Sequence, residues 1–247
     1  MSDADSVVVT AASSRPVDAA ELWAAHAAGQ DGWHRVNAES RELPERVAAV
    51  AGDALATGPE PALTGCVIGS VYGSGHVAET IRARLDAGAR SSLAPESFLY
   101  FNPHGMTSLL CLRHRLRGHS ATLIGPGAGM QALALAGRRL RLGKDTALLC
   151  GAYEVLSPRA AEALGAPESG GWAAFLVLET EESARSRGAR VLAEVGPVQR
   201  GPVTATGDVR ATAALAAIAD AIGGAGSMTV IGAGRPHGYT CAVAVAA

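Results

Sequence analysis

The 247-residue sequence has no apolar run long enough to cross a membrane, no excess of either charge and no clustered cysteines. The first absence excludes a spanning helix, which needs about 20 consecutive apolar residues. The second excludes the basic field that would hold a nucleic-acid backbone or an anionic membrane surface. Here 21 Lys and Arg stand against 23 Asp and Glu, a formal net charge of -2, and Lys144 is the sole lysine. Neither nucleic acid nor membrane is expected as a partner. The third argues against a zinc site or a disulfide framework: Cys66, Cys111, Cys150 and Cys241 are far apart, with no CxxC and no Cys/His cluster. Buried reduced thiols and no metal are expected. The opening segment MSDADSVVV has neither a basic stretch nor an apolar stretch with a cleavage site, so a cytoplasmic chain is expected.

What is present is an apolar fraction of 48%, ample for a buried core. Short β-branched runs alternate with Ala-, Leu- and Arg-rich runs, the pattern of strands interleaved with helices in an α/β fold. Strands are predicted at 6–13, 63–73, 120–125, 145–156, 170–180 and 191–198, with a closing pair at 228–234 and 240–247. Helices are predicted at 18–29, 44–57, 75–88, 104–116, 127–142 and 208–224, with a charged segment at 181–190. In the second helix Leu43, Val47, Val50 and Leu55 mark the inner face. No linker, repeat or low-complexity tract interrupts the chain, so a single domain over 1–247 is expected.

The segment IGPGAGMQA, 124–132, joins a predicted strand to a predicted helix. Gly127, Gly129 and Ala132 satisfy the GxGxxA spacing of a dinucleotide-binding turn, and Glu154 then stands where a ribose hydroxyl could be met. Small residues serve equally wherever a backbone turns sharply into a helix, so the spacing leaves a nucleotide-binding module and a ligand-free elbow both open. None of the seven histidines falls in an HxxxH or HExxH pattern, and Ser120 has no GxSxG setting for hydrolysis.

The wider segment GHSATLIGPGAGMQALALAGRRLRLGKDTALLCGAYEVLSP resembles the nucleophile region of β-ketoacyl synthases. There a strand enters a tight turn carrying a cysteine, followed by a helix ending in Gly, a strand of the type D-A-L-L-x-G-G-x-E, and Ser-Pro. VVVTAASS, CVIGSVYGSGHVAET, APESFLYFNPHGMTSLL and GGWAAFLVLETEESARSRGARVLAEVGPV are similar to further stretches of that family, in the same order. The resemblance implies a thiolase-like α/β fold. Residues 1–200 would form its N-terminal half around a five-stranded mixed sheet, and 201–247 a C-terminal half pared to one helix and two or three strands.

The departures from the family pattern bear on function. Counted back from Gly143, the family's nucleophilic cysteine falls on Pro126, which suits a first helical position; counted forward from Gly118, it falls on Gly127. Neither has a thiol, and proline also lacks the N–H that would help form an oxyanion hole. HGTGT has no counterpart, Asp208 stands where the second catalytic histidine would, and the ending G-F-G-G is altered to RPHG at Arg235 to Gly238.

The resemblance therefore implies no confident catalytic residue and no cofactor, with Pro126, Gly127, Met130, Arg235 and His237 as pocket candidates. It implies a silent subunit resembling a chain-length factor, paired with an active ketosynthase and working with an acyl carrier protein in type II polyketide or fatty-acid biosynthesis. Family dimers join across the strand before the elbow, here Ser120, Thr122 and Ile124; a homodimer is the alternative. Arg138, Arg139, Arg141 and Lys144 at the helix end are either solvated or a dock for the acidic carrier. The rival readings are an enzyme acting on acyl thioesters through His237, Asp208 or Glu154, and the nucleotide-binding module.

Overall fold

The computed structural model describes residues 6–17, 33–88, 90–93, 98, 101–163, 170–201, 210–232 and 238–246. Nine strands are found there: β1 (Val7–Val17), β2 (Thr64–Ser70), β3 (Ser120–Ile124), β4 (Ala147–Leu156), β5 (Gly170–Thr180), β6 (Ala193–Val195), β7 (Gln199–Gly201), β8 (Gly226–Gly232) and β9 (Gly238–Val245). The helices are α1 (Trp33–Leu55), α2 (Gly75–Asp86), α3 (His104–His114), α4 (Ala128–Arg141), α5 (Pro158–Ala163), α6 (Glu181–Ser186) and α7 (Ala213–Ala221).

Every residue of β2 and β4 is buried, which is why both read as continuous apolar runs rather than alternating ones. They lie inside the order β3-β2-β4-β5-β1, in which β5 runs antiparallel to its neighbours while β2, β3 and β4 are parallel. This is the five-stranded mixed sheet that the family resemblance implied. Beyond β1 the sheet continues through β6. β9 takes β6 and β7 on one edge, at residues 243–245 and 238–240, and β8 on the other. The predicted closing pair is the antiparallel β8–β9 ladder, with Val230 opposite Cys241.

Successive side chains of a strand point to opposite faces, so β4 divides its residues between two cores. Leu148, Cys150 and Ala152 join the core under α4 and α7. Leu149, Tyr153 and Val155 join the core under α1 and α3. Gly151 has no side chain because Phe175, its antiparallel partner, lays its ring there: a methyl group on Gly151 would sit 2.0 Å from that ring. Helix α4 buries Ala128, Met130, Ala132, Leu133, Ala136 and Leu140, a stripe at three- and four-residue spacing that turns one side to the sheet.

Several elements differ from the sequence reading. Helix α1 starts at Trp33 rather than Pro44 and carries that proline inside it. An interior proline costs about 3 kcal/mol. Burial of Leu43, Val47, Val50, Ala51 and Ala54 against the sheet offsets it, since each large apolar side chain contributes about 1.5–3 kcal/mol. The strand predicted at 191–198 shortens to β6, with β7 following, and α5 appears after Ser157. Arg139 and Arg141 are not simply solvated: the first pairs with Asp145 and the second donates to the Val195 carbonyl at 2.6 Å. Arg138 and Lys144 are exposed. The helix predicted at 18–29 lies outside the described residues.

Glu179, at the end of β5, is fully buried yet charged. Its carboxylate accepts Arg187 Nη2 at 2.6 Å, Thr10 Oγ1 at 2.6 Å and Ser183 Oγ at 3.1 Å. Burial alone would raise this carboxyl; Arg187, Thr10 and Ser183 together outweigh it and hold the group below its ordinary range. A depressed carboxyl stabilises the fold above its unfolded pKa and loses that contribution as pH falls through the folded value. We therefore expect Arg187→Met, which strands a buried carboxylate, to lower the unfolding free energy by about 3 kcal/mol in urea titrations at pH 7. The deficit should shrink as pH is lowered below about 4, where the unfolded carboxyl is protonated.

Candidate functional site

Between β3 and α4 the chain turns through two left-handed glycines, Gly125 at φ 113° and Gly127 at φ 78°. Gly127 is buried and is the residue from which α4 starts. Pro126 precedes it in the turn and is exposed, not at the first helical position. The left-handed residue must stand between strand and helix, and proline, fixed near φ −65°, cannot take that place. The Pro126 carbonyl accepts the Gln131 side-chain amide at 3.0 Å, and Ala128 N–H donates to the Gly125 carbonyl at 3.0 Å. Neither register of the elbow offers a thiol, hydroxyl or imidazole.

Backbone of two other segments packs against the first turn of α4. A methyl on Gly69 would lie 2.3 Å from the Ala128 carbonyl oxygen, and one on Gly129 only 1.9 Å from that of Ala211. These small residues serve close approach of β2 and of the segment before α7. Met130 is buried, with its side chain against Gly232 at the end of β8. Arg235, His237 and Asp208 lie outside the described residues.

Glu154 points inward from β4 and is 1% exposed. One carboxylate oxygen accepts Ser70 Oγ at 3.1 Å and Tyr72 N–H at 2.9 Å. The other accepts Val71 N–H at 2.8 Å and Ala211 N–H at 3.4 Å. Ser70 Oγ in turn accepts Gly73 N–H at 2.8 Å. Burial pushes this carboxyl above its ordinary range, with all four hydrogen bonds opposing. So occupied, Glu154 faces neither a ribose nor a substrate carbonyl. Its structural role has a signal in sequence: a lone carboxylate in the apolar run ALLCGAYEVL has to be hydrogen-bonded inside. Ser70 and His76 carry no such signal. His76, at the start of α2, is buried, and burial lowers its imidazole to about 4.

The strand candidates lie together at a free sheet edge. β3 pairs only with β2 among the described strands, and Ser120 and Ile124 are exposed. Thr122 bonds back to α3, through the Thr107 hydroxyl and His104 Nδ1, the latter at 2.8 Å. Ile124 is 48% exposed and lies against Gly73; Phe98 and Phe101, 50% and 45% exposed, meet edge to face at 6.2 Å. A cleft of about 500 Å³ at the opposite end of the five-stranded sheet is lined by Thr10, Asp53, Thr57, Arg187 and Arg190 and is separate from the elbow.

Glu154→Gln turns an amide N–H toward backbone donors and should cost about 1–3 kcal/mol in urea titrations; an unchanged midpoint would show that the carboxylate is not needed. His76 is held neutral, so the folded state binds fewer protons than the unfolded one. Its contribution is complete above pH 6.5 and is lost as pH falls toward about 4. His76→Gln should flatten the loss of melting temperature across that window.

No protein-family model matches the chain, and no curated protein is significantly similar to it in sequence. Solved structures are similar. A chain of "AntDE:AntF (apo): type II PKS acyl-carrier protein in complex with its ketosynthase bound to the hexaketide" aligns with TM-score 0.75 and 17% identity, over 98% of this chain and 99% of that one. A chain of the ishigamide ketosynthase/chain length factor aligns with TM-score 0.73 and 17% identity, over 98% and 100%. A β-ketoacyl synthase from Burkholderia phymatum STM815 aligns with TM-score 0.60 and 21% identity, over 81% of this chain but 65% of its own length. The chain thus has the thiolase-like fold of the ketosynthases, at a length that spans two of these neighbours end to end and leaves a third of the other uncovered.

Proposed function

We propose that the protein is a catalytically silent ketosynthase-like subunit that pairs with an active β-ketoacyl synthase and helps shape the growing-chain tunnel in type II polyketide or fatty-acid biosynthesis. The observation that carries this reading is an intact strand-to-helix elbow whose candidate nucleophile positions are Pro126 and Gly127. A condensing enzyme needs a thiolate there to take the acyl chain, and these residues supply none. The open β3 edge supports the pairing, because its backbone groups and exposed Ile124 gain partners when a second subunit adds to the sheet. The end-to-end match to a chain of a ketosynthase/chain length factor supports the subunit type. A partner ketosynthase would supply the condensing thiol and receive chains from an acyl carrier protein. Exposed Arg138 and Lys144 are the cations at the end of α4 left to meet an acidic carrier.

Mixed with the ketosynthase encoded beside its own gene, the protein should co-elute as a complex in size-exclusion chromatography. Separate peaks, or a homodimer that excludes the ketosynthase, would overturn the heterodimer. Ile124→Asp should weaken the complex at least about tenfold while leaving the melting temperature of the lone chain unchanged, because it buries a charge only at the interface. Incubated alone with an acyl thioester, the chain should gain no acyl mass; a covalent adduct on any of its residues would refute silence.

A further inference from the structure

Strand β1 outruns its neighbour β6. The two pair only through Val7, Val8 and Val9, and the segment 187–192 leads into β6 with the Leu192 N–H on the Val9 carbonyl at 2.8 Å. At Thr10 the register of β1 against β5 shifts, a bulge whose hydroxyl donates to buried Glu179. Beside Thr10, Ala11 and Ala12 the described chain leaves the cleft of about 500 Å³, walled by Asp53 and Thr57 at the end of α1 and by residues of 187–192. That volume is within the range of small-molecule sites, about 300–1,000 Å³.

The turn after α6 sets a guanidinium in this wall. Gly188, at φ 69°, reverses the chain, with its N–H on the Arg185 carbonyl at 3.0 Å and the Ala189 N–H on that of Ala184 at 2.8 Å. Arg187 commits Nε and one Nη2 proton to Glu179, and one Nη1 proton to the Thr57 carbonyl at 3.0 Å. A guanidinium carries five N–H donors, so two are not spent on these bonds. Arg190 adds a second guanidinium to the lining, against one carboxylate, Asp53, which is bridged to Arg15 at 2.7 Å. The rest of the wall is apolar, with Ala11 buried and Ala12, Ala189 and Leu192 half-buried.

We propose that this cleft binds a short organic monocarboxylate, its charged end on Arg187 and Arg190 and its apolar body against Ala11, Ala12, Ala189 and Leu192. Paired guanidinium N–H groups match the two oxygens of a carboxylate in plane. The two unspent donors of Arg187 fall short of the three oxygens of a phosphate, and a bare phosphate makes no use of the apolar wall. A guest so held bridges α1, β1 and the segment entering β6, and it stabilises the folded chain by binding to it. The cleft borders β1, at the other end of the order β3-β2-β4-β5-β1 from the β3 edge, so the proposal stands apart from subunit pairing.

The test titrates the full, isotope-labelled chain with sodium butyrate at neutral pH and constant ionic strength, with butyramide and inorganic phosphate as comparators. We expect saturable amide shifts at Ala11, Ala12, Ala189 and Arg190, half-complete at about 1 mM for a guest of six heavy atoms. The melting temperature should rise over the same range. Butyramide, of the same shape but uncharged, and phosphate, charged but without an apolar body, should each bind at least about tenfold more weakly. Arg190→Gln should weaken butyrate at least about tenfold. Glu179→Met combined with Arg187→Met removes both charges of the buried pair together, strands neither, and should abolish the shifts. No saturation by about 20 mM, butyramide or phosphate bound as tightly as butyrate, shifts centred on the elbow, or an unchanged affinity in folded Arg190→Gln would each overturn the proposal. The titrations of the unsubstituted chain decide the outcome even where a variant does not fold.

Discussion

The constraint on which the rest of the structure depends is the buried carboxylate of Glu154. It sits in the central strand β4 and collects donors from two places far apart in sequence, the turn after β2 and the segment leading into α7. A carboxylate this deep is costly unless its oxygens are fully engaged, and the chain meets that requirement with three backbone N–H groups and one hydroxyl. The consequence is positional. The turn at 70–73 and the start of α7 are held against the same strand end, and the N-terminus of α4 is held between them.

That closure explains the elbow. A strand-to-helix turn rich in glycine can serve a phosphate, a nucleophile or close packing, and here packing governs. Gly69 and Gly129 are small because a carbonyl oxygen of a neighbouring segment lies within 2.3 Å of where a side chain would begin. Gly127 supplies the left-handed residue, and Pro126 occupies the exposed turn before it. The elbow keeps its geometry without a thiol, and among the described strands β3 pairs only with β2. The Glu179–Arg187 pair plays the matching structural part on the other core, tying the end of β5 to β1 through Thr10 and to the turn after α6.

Much of the fold was legible in the sequence because strand and helix periods differ. The continuous apolar runs at 64–70 and 147–156 and the three- and four-residue spacing at 128–140 each admit one interpretation once their lengths are considered. Pro44 misplaced the start of α1 because the local signal for a helix beginning was overridden by burial of the residues after it. The candidate site was legible only in part. Pro126, Gly127 and the β3 edge were marked by the family resemblance. Glu154 was marked by chemistry but not by partner, since its donors at Val71, Tyr72 and Ala211 are brought to it by the sheet and by nothing local.

The sequence by itself determined the α/β class, the strand-to-helix elbow and the absence of a thiol from it, because these depend on short-range pattern and on residue identity. Tertiary structure decided what the glycines are for, where Glu154 directs its oxygens, which face each cysteine occupies and which strand is left at the edge. Those outcomes depend on strand order and on contacts between residues far apart in the chain, 84 positions between Ser70 and Glu154 and 169 between Thr10 and Glu179. The order β3-β2-β4-β5-β1 is set by how helices cover both faces of the sheet at once, and that is a property of the assembled layers rather than of any one segment.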